Sequence, residues 1–241
     1  QMNVSDSERI STTLASRGYE LTNIEDDADV VIFNTCSVRE KAEQKLYTRV
    51  GHLRHADRPK PIVGVMGCVA QLEGETLFSK IEGVDFVLGT QAVGRVADAI
   101  ARTLSTDEAI VDLGDREADY NWTVADKHRH SPYIAFLPII EGCNKFCTYC
   151  IVPFSRGRER SLLASEIIRQ VLDLMRNGVR EVHLIGQNVN SYRPESDSGL
   201  EGFEGKSAFS KLLRAVAATG IERIKFTTSF PRDFNDDIVD A

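Results

Sequence analysis

Along residues 1–115, short apolar runs alternate with longer stretches in which apolar residues recur every three or four positions. The runs predict buried parallel strands, and the periodic stretches predict helices. We expect strands at 30–34, 62–67, 85–89 and 109–113, and helices from Ser5 or Asp6 to about Arg17 and at 39–55, 75–81 and 92–104. This alternation predicts an α/β fold whose first domain, residues 1–115, is an open parallel sheet of the flavodoxin or Rossmann type, covered on both faces.

The same alternation resumes near Pro132 and continues along the rest of the chain. We expect strands at 133–140, 181–186 and 224–229, and helices at 162–177 and 208–218. The helix at 162–177 has a natural stop at Gly178. Its predicted apolar stripe consists of Ile167, Ile168, Val171, Leu172 and Met175. Residues 132–241 therefore predict a second domain built from three βα units.

A polar stretch at 116–131 separates the two domains, and we expect it to be a linker. It contains Trp122 and the basic cluster Lys127, His128, Arg129 and His130. A cluster of this kind is typical of a solvated surface, and it also suits contact with RNA phosphates.

The composition narrows the class of protein. At 241 residues, with 42% hydrophobic and 27% charged residues, the chain is typical of a globular protein with one large or two ordinary domains. No apolar run approaches the ~20 residues that a membrane span needs, and no signal peptide is evident, so we expect a cytoplasmic protein. The net charge of -7 argues weakly against a nucleic-acid partner, although local basic patches override such a total.

Three of the five cysteines form a tight motif, C-x3-C-x2-C, at Cys143, Cys147 and Cys150. An odd number of cysteines at this spacing does not suit a disulfide framework. Three thiolates leave a structural zinc ion one ligand short, whereas they suit a 4Fe-4S cluster with one iron left open. A zinc knuckle or a redox-inert cysteine cluster remains the alternative.

Two further cysteines follow predicted strands. Cys36 comes after the strand at 30–34, and Cys68 comes after the strand at 62–67. Because ligands of open α/β sheets gather at the carboxyl ends of the strands, we expect both thiols at one edge of the sheet. Ordinary half-buried cysteines are the alternative. After the tight motif, Arg156, Arg158 and Arg160 suit carboxylates or phosphates, or are exposed charges.

The tight motif follows an apolar strand and has an aromatic residue, Tyr149, before its last cysteine. In these features it resembles the signature of the radical S-adenosylmethionine (SAM) enzymes. The resemblance implies a partial barrel of βα units, of which residues 132–241 are about half. It also implies a 4Fe-4S cluster whose open iron binds the amino and carboxylate groups of SAM. One electron from that cluster then releases a 5′-deoxyadenosyl radical.

The segments QMNVSDSE, NTCSVREKAEQKLY and GCVAQLEGE resemble the N-terminal domain of the methylthiotransferases, a subfamily of the radical SAM enzymes. The resemblance implies a second 4Fe-4S cluster held by three cysteines, two of which match Cys36 and Cys68. The third is expected immediately before Gln1. We therefore expect a fragment that lacks this cysteine and the C-terminal part of the family's chain, and whose second cluster is incomplete.

The segments EGCNKFCTYCIVPFSRG, NTCSVREKA and GQNVNSY together resemble the MiaB-type branch, which acts on tRNA. The resemblance implies addition of a methylthio group to carbon 2 of N6-isopentenyladenosine beside the anticodon. The implied partners are a tRNA anticodon stem-loop and a flavodoxin- or ferredoxin-type electron donor, with no membrane and a monomeric full-length protein. The alternatives are a ribosomal-protein aspartate methylthiotransferase and a non-catalytic iron–sulfur module that binds RNA.

The resemblance also implies residue roles. Cys143, Cys147 and Cys150 would bind the SAM-cleaving cluster. Residues that would contact SAM are Tyr149, Arg156, Gly186, Gln187, Asn188 and Ser229. Turn formation at 186–188 and hydrogen bonding at a strand end for Ser229 are the structural alternatives. The family is expected to have a histidine where this chain has Phe230. His52, His55 and His183 belong to no evident constellation, and we expect them at the surface or in packing contacts.

Overall fold

Parallel strands form the framework of both halves of the chain. The computed structural model describes residues 1–36, 40–55, 59–106, 108–114 and 128–241. The described residues fall into two compact units. The N-terminal unit contains those between 9 and 114 together with Phe154–Arg156, and the C-terminal unit contains 1–8, 128–153 and 157–241. Residues 116–127 of the predicted linker, with Trp122 and Lys127, lie outside the described residues.

The sheet of the N-terminal unit has four parallel strands in the order β1-β2-β3-β4. They are β1 (Val30–Thr35), β2 (Ile62–Gly67), β3 (Phe86–Leu88) and β4 (Ile110–Asp112). All three strand pairs are parallel, which confirms the predicted open α/β sheet. The helices that accompany it are α1 (Met2–Ser16), α2 (Glu40–His55), α3 (Cys68–Glu73), α4 (Thr76–Lys80) and α5 (Val96–Ser105).

Helices cover both faces of this sheet, as predicted. Because side chains alternate along a strand, Val63 and Val65 face one side and Met66 faces the other. The first side packs against Leu46, Val50 and Leu53 of α2 and against apolar residues of α3 and α4. The second side packs against Ile10 and Leu14 of α1 and against Val96 and Ile100 of α5.

The first helix begins earlier than predicted. Ser5 and Asp6, which we expected to cap it, lie inside α1, and the amide of Ser5 already donates to the carbonyl of Gln1 at 3.0 Å. These two residues are only 3% and 2% exposed. Tertiary burial therefore outweighs the local preference of Ser and Asp for a capping position.

The C-terminal unit contains a second parallel sheet, in the order β5-β8-β9. Its strands are β5 (Ile134–Pro138), β8 (Glu181–Ile185) and β9 (Arg223–Phe226), and a separate antiparallel pair joins β6 (Ile140–Glu141) to β7 (Arg160–Ser161). Its helices are α7 (Ala164–Arg176), α8 (Ala208–Ala217) and α9 (Asp236–Asp240). The short α6 (Val152–Ser155) begins in this unit, and its last two residues belong to the N-terminal unit. The three βα units confirm the prediction of part of a βα barrel.

Local details of this unit differ from the sequence prediction. The single strand expected at 133–140 is split into β5 and β6. The strand expected at 224–229 ends at Phe226. Thr228 has a φ of 67°, and this angle is incompatible with the extended backbone of a strand. In α7 the stripe includes the buried Leu174 rather than Leu172, which is 37% exposed, since Ile167, Val171 and Leu174 keep the spacing of a helical face.

Some charged residues of the C-terminal unit are buried with partners. The amide of His130, in the predicted basic cluster, donates to Glu8 Oε1 at 2.7 Å. His183, 7% exposed, pairs with Glu181 and makes an edge contact with Phe136, as the expected packing role allows. Among the described residues, no helix has both the length and the apolar character needed to cross a membrane.

Gly64 provides a test of the packing between β2 and β3. A Cβ atom at this position would lie 2.0 Å from Cζ of Phe86, which is fully buried and pairs with Gly64 in the sheet. We expect Gly64→Ala to lower the free energy of unfolding by about 1–3 kcal/mol, because the added methyl group overpacks the core. Urea unfolding followed by circular dichroism measures the change.

Gly51→Ala is the matched control. Gly51 lies inside α2, and the space that a Cβ atom would occupy there is open, so the same chemical change should raise stability by about 0.5–1 kcal/mol through helix propensity. Equal unfolding midpoints for the Gly64→Ala variant and the unmodified chain would contradict the packing described for Phe86.

Asp237 provides a pH-dependent test. Hydrogen bonds from the Ser210 hydroxyl, the Lys206 amide and the Arg214 guanidinium lower the pKa of Asp237 from 3.8 to about 2. A carboxyl group whose pKa is lowered by folding stabilises the fold above its unfolded pKa and loses that effect as the pH falls toward the folded pKa. The unmodified chain should therefore be more stable than Asp237→Asn at pH 6, and the difference should shrink between pH 4 and pH 2. A difference that is constant over this range in urea unfolding would refute the role of the carboxylate.

Candidate metal centre

The loop that carries Cys143, Cys147 and Cys150 is fixed at its base. It follows β6, which pairs with β7 on the far side of the loop. Gly142 has a φ of 76°, and a Cβ there would lie 2.1 Å from the carbonyl oxygen of Arg158, so only glycine fits. The amide of Gly142 donates to Gln187 Oε1 at 2.8 Å, and the amide of Cys143 donates to Gly157 at 3.2 Å. The backbone at the first cysteine of the loop is therefore held in a defined position.

The three thiols of this loop are half-buried and unpaired as disulfides. The amide of Cys150 donates to the carbonyl of Cys147 at 2.8 Å, which closes a turn between the last two cysteines. Burial raises the pKa of the Cys143 thiol, a hydrogen bond from the Lys145 backbone opposes the rise, and nearby Glu159, Cys150 and Cys147 add to it. The three thiols are thus close enough to influence one another electrostatically.

The donor set fits a group that takes three thiolate ligands. All three sulfur atoms lie on one short loop, which suits a 4Fe-4S cluster more than a closed four-ligand zinc site. Within the described part of the chain, however, no three Cys, His, Asp or Glu side chains already converge on one point. Binding would therefore require the thiols to rotate toward a common centre, which the half-exposed loop allows.

Residues at the carboxyl end of β8 support this loop. A Cβ on Gly186 would lie 2.5 Å from the carbonyl oxygen of Ile140, so the two backbones are in close contact. The Gly186 carbonyl accepts a hydrogen bond from Thr228 at 2.7 Å. Gln187 holds the amide of Gly142. Two of the residues predicted to contact SAM therefore also position the cysteine loop.

The remaining predicted SAM contacts differ in their accessibility. Tyr149 is 93% exposed, and Ser229 is exposed after the end of β9. Asn188 is 3% exposed, with its side-chain oxygen accepting from the Phe230 amide at 2.9 Å. Arg156 is 2% exposed and lies in the N-terminal unit, where its carbonyl accepts from Gln91 at 3.1 Å. Of these four residues, only Tyr149 and Ser229 are open to a ligand.

A polar network that the sequence did not predict lies at the ends of β8 and β9. Asp233 accepts hydrogen bonds from Ser191 and from Asn188, and it forms an ion pair with Lys145 of the cysteine loop. Burial alone would raise the pKa of Asp233, but Lys145 and Ser191 outweigh it, so the pKa is lowered and the carboxylate is ionised at neutral pH. The position of Lys145 inside the cysteine motif is the single signal of this network in the sequence.

Glu159 is a second residue that sequence reasoning missed. Its backbone amide donates to Asn144 Oδ1 at 3.1 Å, which joins the two sides of the cysteine loop. Burial raises the pKa of the Glu159 carboxyl, although Lys145 and Arg193 oppose the rise. Its Oε2 atom is buried without a hydrogen-bond partner.

The two other cysteines lie at one edge of the N-terminal sheet. Thr35 of β1 pairs with Gly67 of β2, so Cys36 and Cys68 follow directly from paired positions at the carboxyl ends of neighbouring strands. Cys68 begins α3 and is 6% exposed, whereas Cys36 is half-buried. This placement agrees with the expected common edge. Residues 37–39, which follow Cys36, lie outside the described residues.

Two family models match the chain. The uncharacterized protein family UPF0004 matches residues 1–89, and the radical SAM superfamily matches residues 137–240. The second match contains all three cysteines of the loop, the end of β8 and the Lys145–Asp233 ion pair. The first contains Cys36 and Cys68.

Similar proteins with curated names extend over the whole chain. The tRNA-2-methylthio-N(6)-dimethylallyladenosine synthase of Koribacter versatilis is 41% identical over 100% of this chain and 53% of its own length. The enzyme of the same name from Yersinia pseudotuberculosis is 42% identical over 100% of this chain and 50% of its own length. The chain thus spans about half the length of the curated relatives it matches.

Among solved structures, the cobalamin-dependent S-adenosylmethionine radical enzyme OxsB, with aqua-cobalamin and S-adenosylmethionine bound, matches 94% of this chain and 32% of its own. The TM-score is 0.43 and the identity is 16%. The family matches and the identity over the whole chain, rather than this likeness, decide the classification. The chain, in which a UPF0004 segment precedes a radical SAM segment, belongs to the radical SAM superfamily and, within it, to the family of these curated synthases.

Proposed function

We propose that this chain is part of a tRNA methylthiotransferase that adds a methylthio group to carbon 2 of N6-isopentenyladenosine beside the anticodon. The observation that supports the proposal is the identity of 41–42%, over the whole chain, to synthases of that product from Koribacter versatilis and Yersinia pseudotuberculosis. The cysteine loop supplies the chemical reason, because an aromatic C–H bond has no acidic proton for a side-chain base to remove. A radical reaction meets that requirement.

In this proposal, Cys143, Cys147 and Cys150 are the protein ligands of a 4Fe-4S cluster. When bound, such a cluster supplies the electron for the reductive cleavage of SAM. The chain itself contributes the geometry: Gly142 and Gln187 fix the base of the loop, and a backbone hydrogen bond closes the turn between Cys147 and Cys150. Each thiol must lose its proton to bind iron, so loading releases protons.

Contacts to SAM follow the accessibility of the predicted residues. Tyr149 and Ser229 are exposed near the loop and at the end of β9, and we assign them to direct contact with SAM. Gly186 allows close approach of backbone and ligand at the end of β8. Gln187 holds the loop and Asn188 holds the segment after β9, and we retain both as candidate SAM-binding residues at the end of β8. We retain Arg156 as a candidate for the SAM carboxylate, although its burial requires a change in its surroundings.

Cys36 and Cys68 are proposed as ligands of a second 4Fe-4S cluster, at the edge of the N-terminal sheet. Two thiols at paired strand ends supply two of the three ligands that the family uses. The other proposals concern the whole protein: a tRNA anticodon stem-loop as substrate, a flavodoxin- or ferredoxin-type electron donor, a monomeric state and a cytoplasmic location.

The metal content of the chain tests the assignment of the loop. After anaerobic reconstitution with iron and sulfide, we expect about four irons per chain in a Cys36→Ala/Cys68→Ala double variant, because the loop cysteines suffice for one cluster. Cys143→Ala in this background should lose that iron and its visible charge-transfer absorbance. Iron and sulfide analysis, with an absorption spectrum, measures both.

The unmodified chain is the control for the second site. About eight irons would mean that Cys36 and Cys68 also hold a cluster, and about four would mean that they do not. Zinc in place of iron, or iron retained after Cys143→Ala, would contradict the proposed cluster.

Nucleoside analysis tests the substrate. A strain from which the complete gene has been deleted should lose 2-methylthio-N6-isopentenyladenosine from its tRNA and accumulate the precursor without the methylthio group. Mass spectrometry of hydrolysed tRNA measures both nucleosides. Normal tRNA with a ribosomal protein that lacks methylthiolated aspartate would identify the protein-modifying enzyme, and loss of neither modification would identify a binding module.

A further inference from the structure

An ion pair in the C-terminal unit joins the cysteine loop to a residue beyond β9. Lys145 lies two residues from Cys143 and two from Cys147, and its Nζ atom is 2.5 Å from Asp233 Oδ2. The side chains are 29% and 26% exposed, so solvent shields the pair only in part. The ammonium group also lies 5.2 Å from the centroid of the Phe230 ring.

The carboxylate of Asp233 is itself held in place. The Ser191 hydroxyl donates a hydrogen bond to Asp233 Oδ2, and Asn188 Nδ2 donates to the same oxygen at 3.4 Å. Asn190 binds both the amide and the carbonyl of Phe230, each at 2.8 Å. Asn188, Asn190 and Ser191 are between 3% and 8% exposed. A buried, mutually bonded network of this kind fixes the position of its members.

The backbone next to Lys145 has an unfavourable conformation. Phe146 has a φ of 46°, in the left-handed region that bulky residues avoid. Its side chain is 64% exposed, so burial contributes little to holding this conformation. Such a residue persists when its neighbours determine the path of the chain. The ion pair between Lys145 and Asp233 restrains the chain on one side of Phe146.

We propose that Asp233 is a positioning residue for the cysteine loop. By holding Lys145, it orients the segment between Cys143 and Cys147, and it neutralises the cationic charge that Lys145 brings next to two thiolates. The inference deepens the proposed function, and its electrostatic part rests on that function, because it assumes that the loop holds a cluster. The orienting part does not depend on any bound group.

The two effects predict different results. If Asp233→Asn leaves Lys145 charged and unpaired beside the cluster, the reduced, more negative state is stabilised and the reduction potential rises. If Lys145→Met leaves Asp233 charged and unpaired, the reduced state is disfavoured and the potential falls. If the two substitutions acted only by loosening the loop, the reduction potential would shift in the same direction in both variants.

The first experiment uses the metal-free 241-residue chain and measures hydrogen exchange in peptides that cover 142–151. We expect several-fold faster exchange in Asp233→Asn and in Lys145→Met, because the anchor of the loop is lost. The double exchange Lys145→Asp/Asp233→Lys should restore the slow rate in part, because it rebuilds the ion pair but not the hydrogen bonds from Ser191 and Asn188. Asp240→Asn, which removes an exposed carboxylate from the same end of the chain, is the matched control and should leave the rate unchanged.

The second experiment measures the reduction potential of the reconstituted chain by redox titration followed by electron paramagnetic resonance, in the Cys36→Ala/Cys68→Ala background. Opposite shifts for Asp233→Asn and Lys145→Met support the charge-neutralising role, and equal or parallel shifts overturn it. Unchanged exchange at 142–151 in both single variants overturns the orienting role. Failure of the parent chain to bind iron would refute the proposed cluster, while the exchange experiment would still decide whether Asp233 orients the loop.

Discussion

Parallel strand pairing is the constraint on which the arrangement of this chain depends. Parallel neighbours bring their carboxyl ends to one edge, and the residues that leave those ends share a small region of space. In the N-terminal unit the pairing of Thr35 with Gly67 places Cys36 and Cys68 at one such edge. In the C-terminal unit β5, β8 and β9 bring the cysteine loop, residues 186–191 and residues 227–233 together in the same way.

Glycine makes the close approach at this second edge possible. The backbone after β8 passes so near Ile140 that a Cβ on Gly186 would overlap its carbonyl oxygen, and Gly142 meets the backbone of Arg158 at a comparable distance. Three chain segments thus come together with little side-chain volume between them. Backbone amides and carbonyls, together with Gln187, Asn188 and Asn190, are therefore among the groups that hold the site together.

The sequence predicts the parts of this architecture that depend on local pattern. The apolar runs at β1 and β2 and the periodicity of α2 and α7 are strong enough to locate elements, and the cysteine spacing identifies the loop. The sequence does not predict contacts between distant residues, such as Lys145 with Asp233, because no local pattern records them. The sequence also misplaces the ends of elements that depend on tertiary structure. Burial allows α1 to begin before Ser5, and the left-handed conformation of Thr228 ends β9 early.

The raised pKa of the Cys143 thiol has a consequence for the lifetime of the metal-free protein. Oxidation of cysteine by peroxide or air proceeds through the thiolate, so a half-buried thiol whose pKa is raised reacts more slowly than a fully exposed one. The same burial that disfavours the thiolate therefore also slows oxidation of this sulfur.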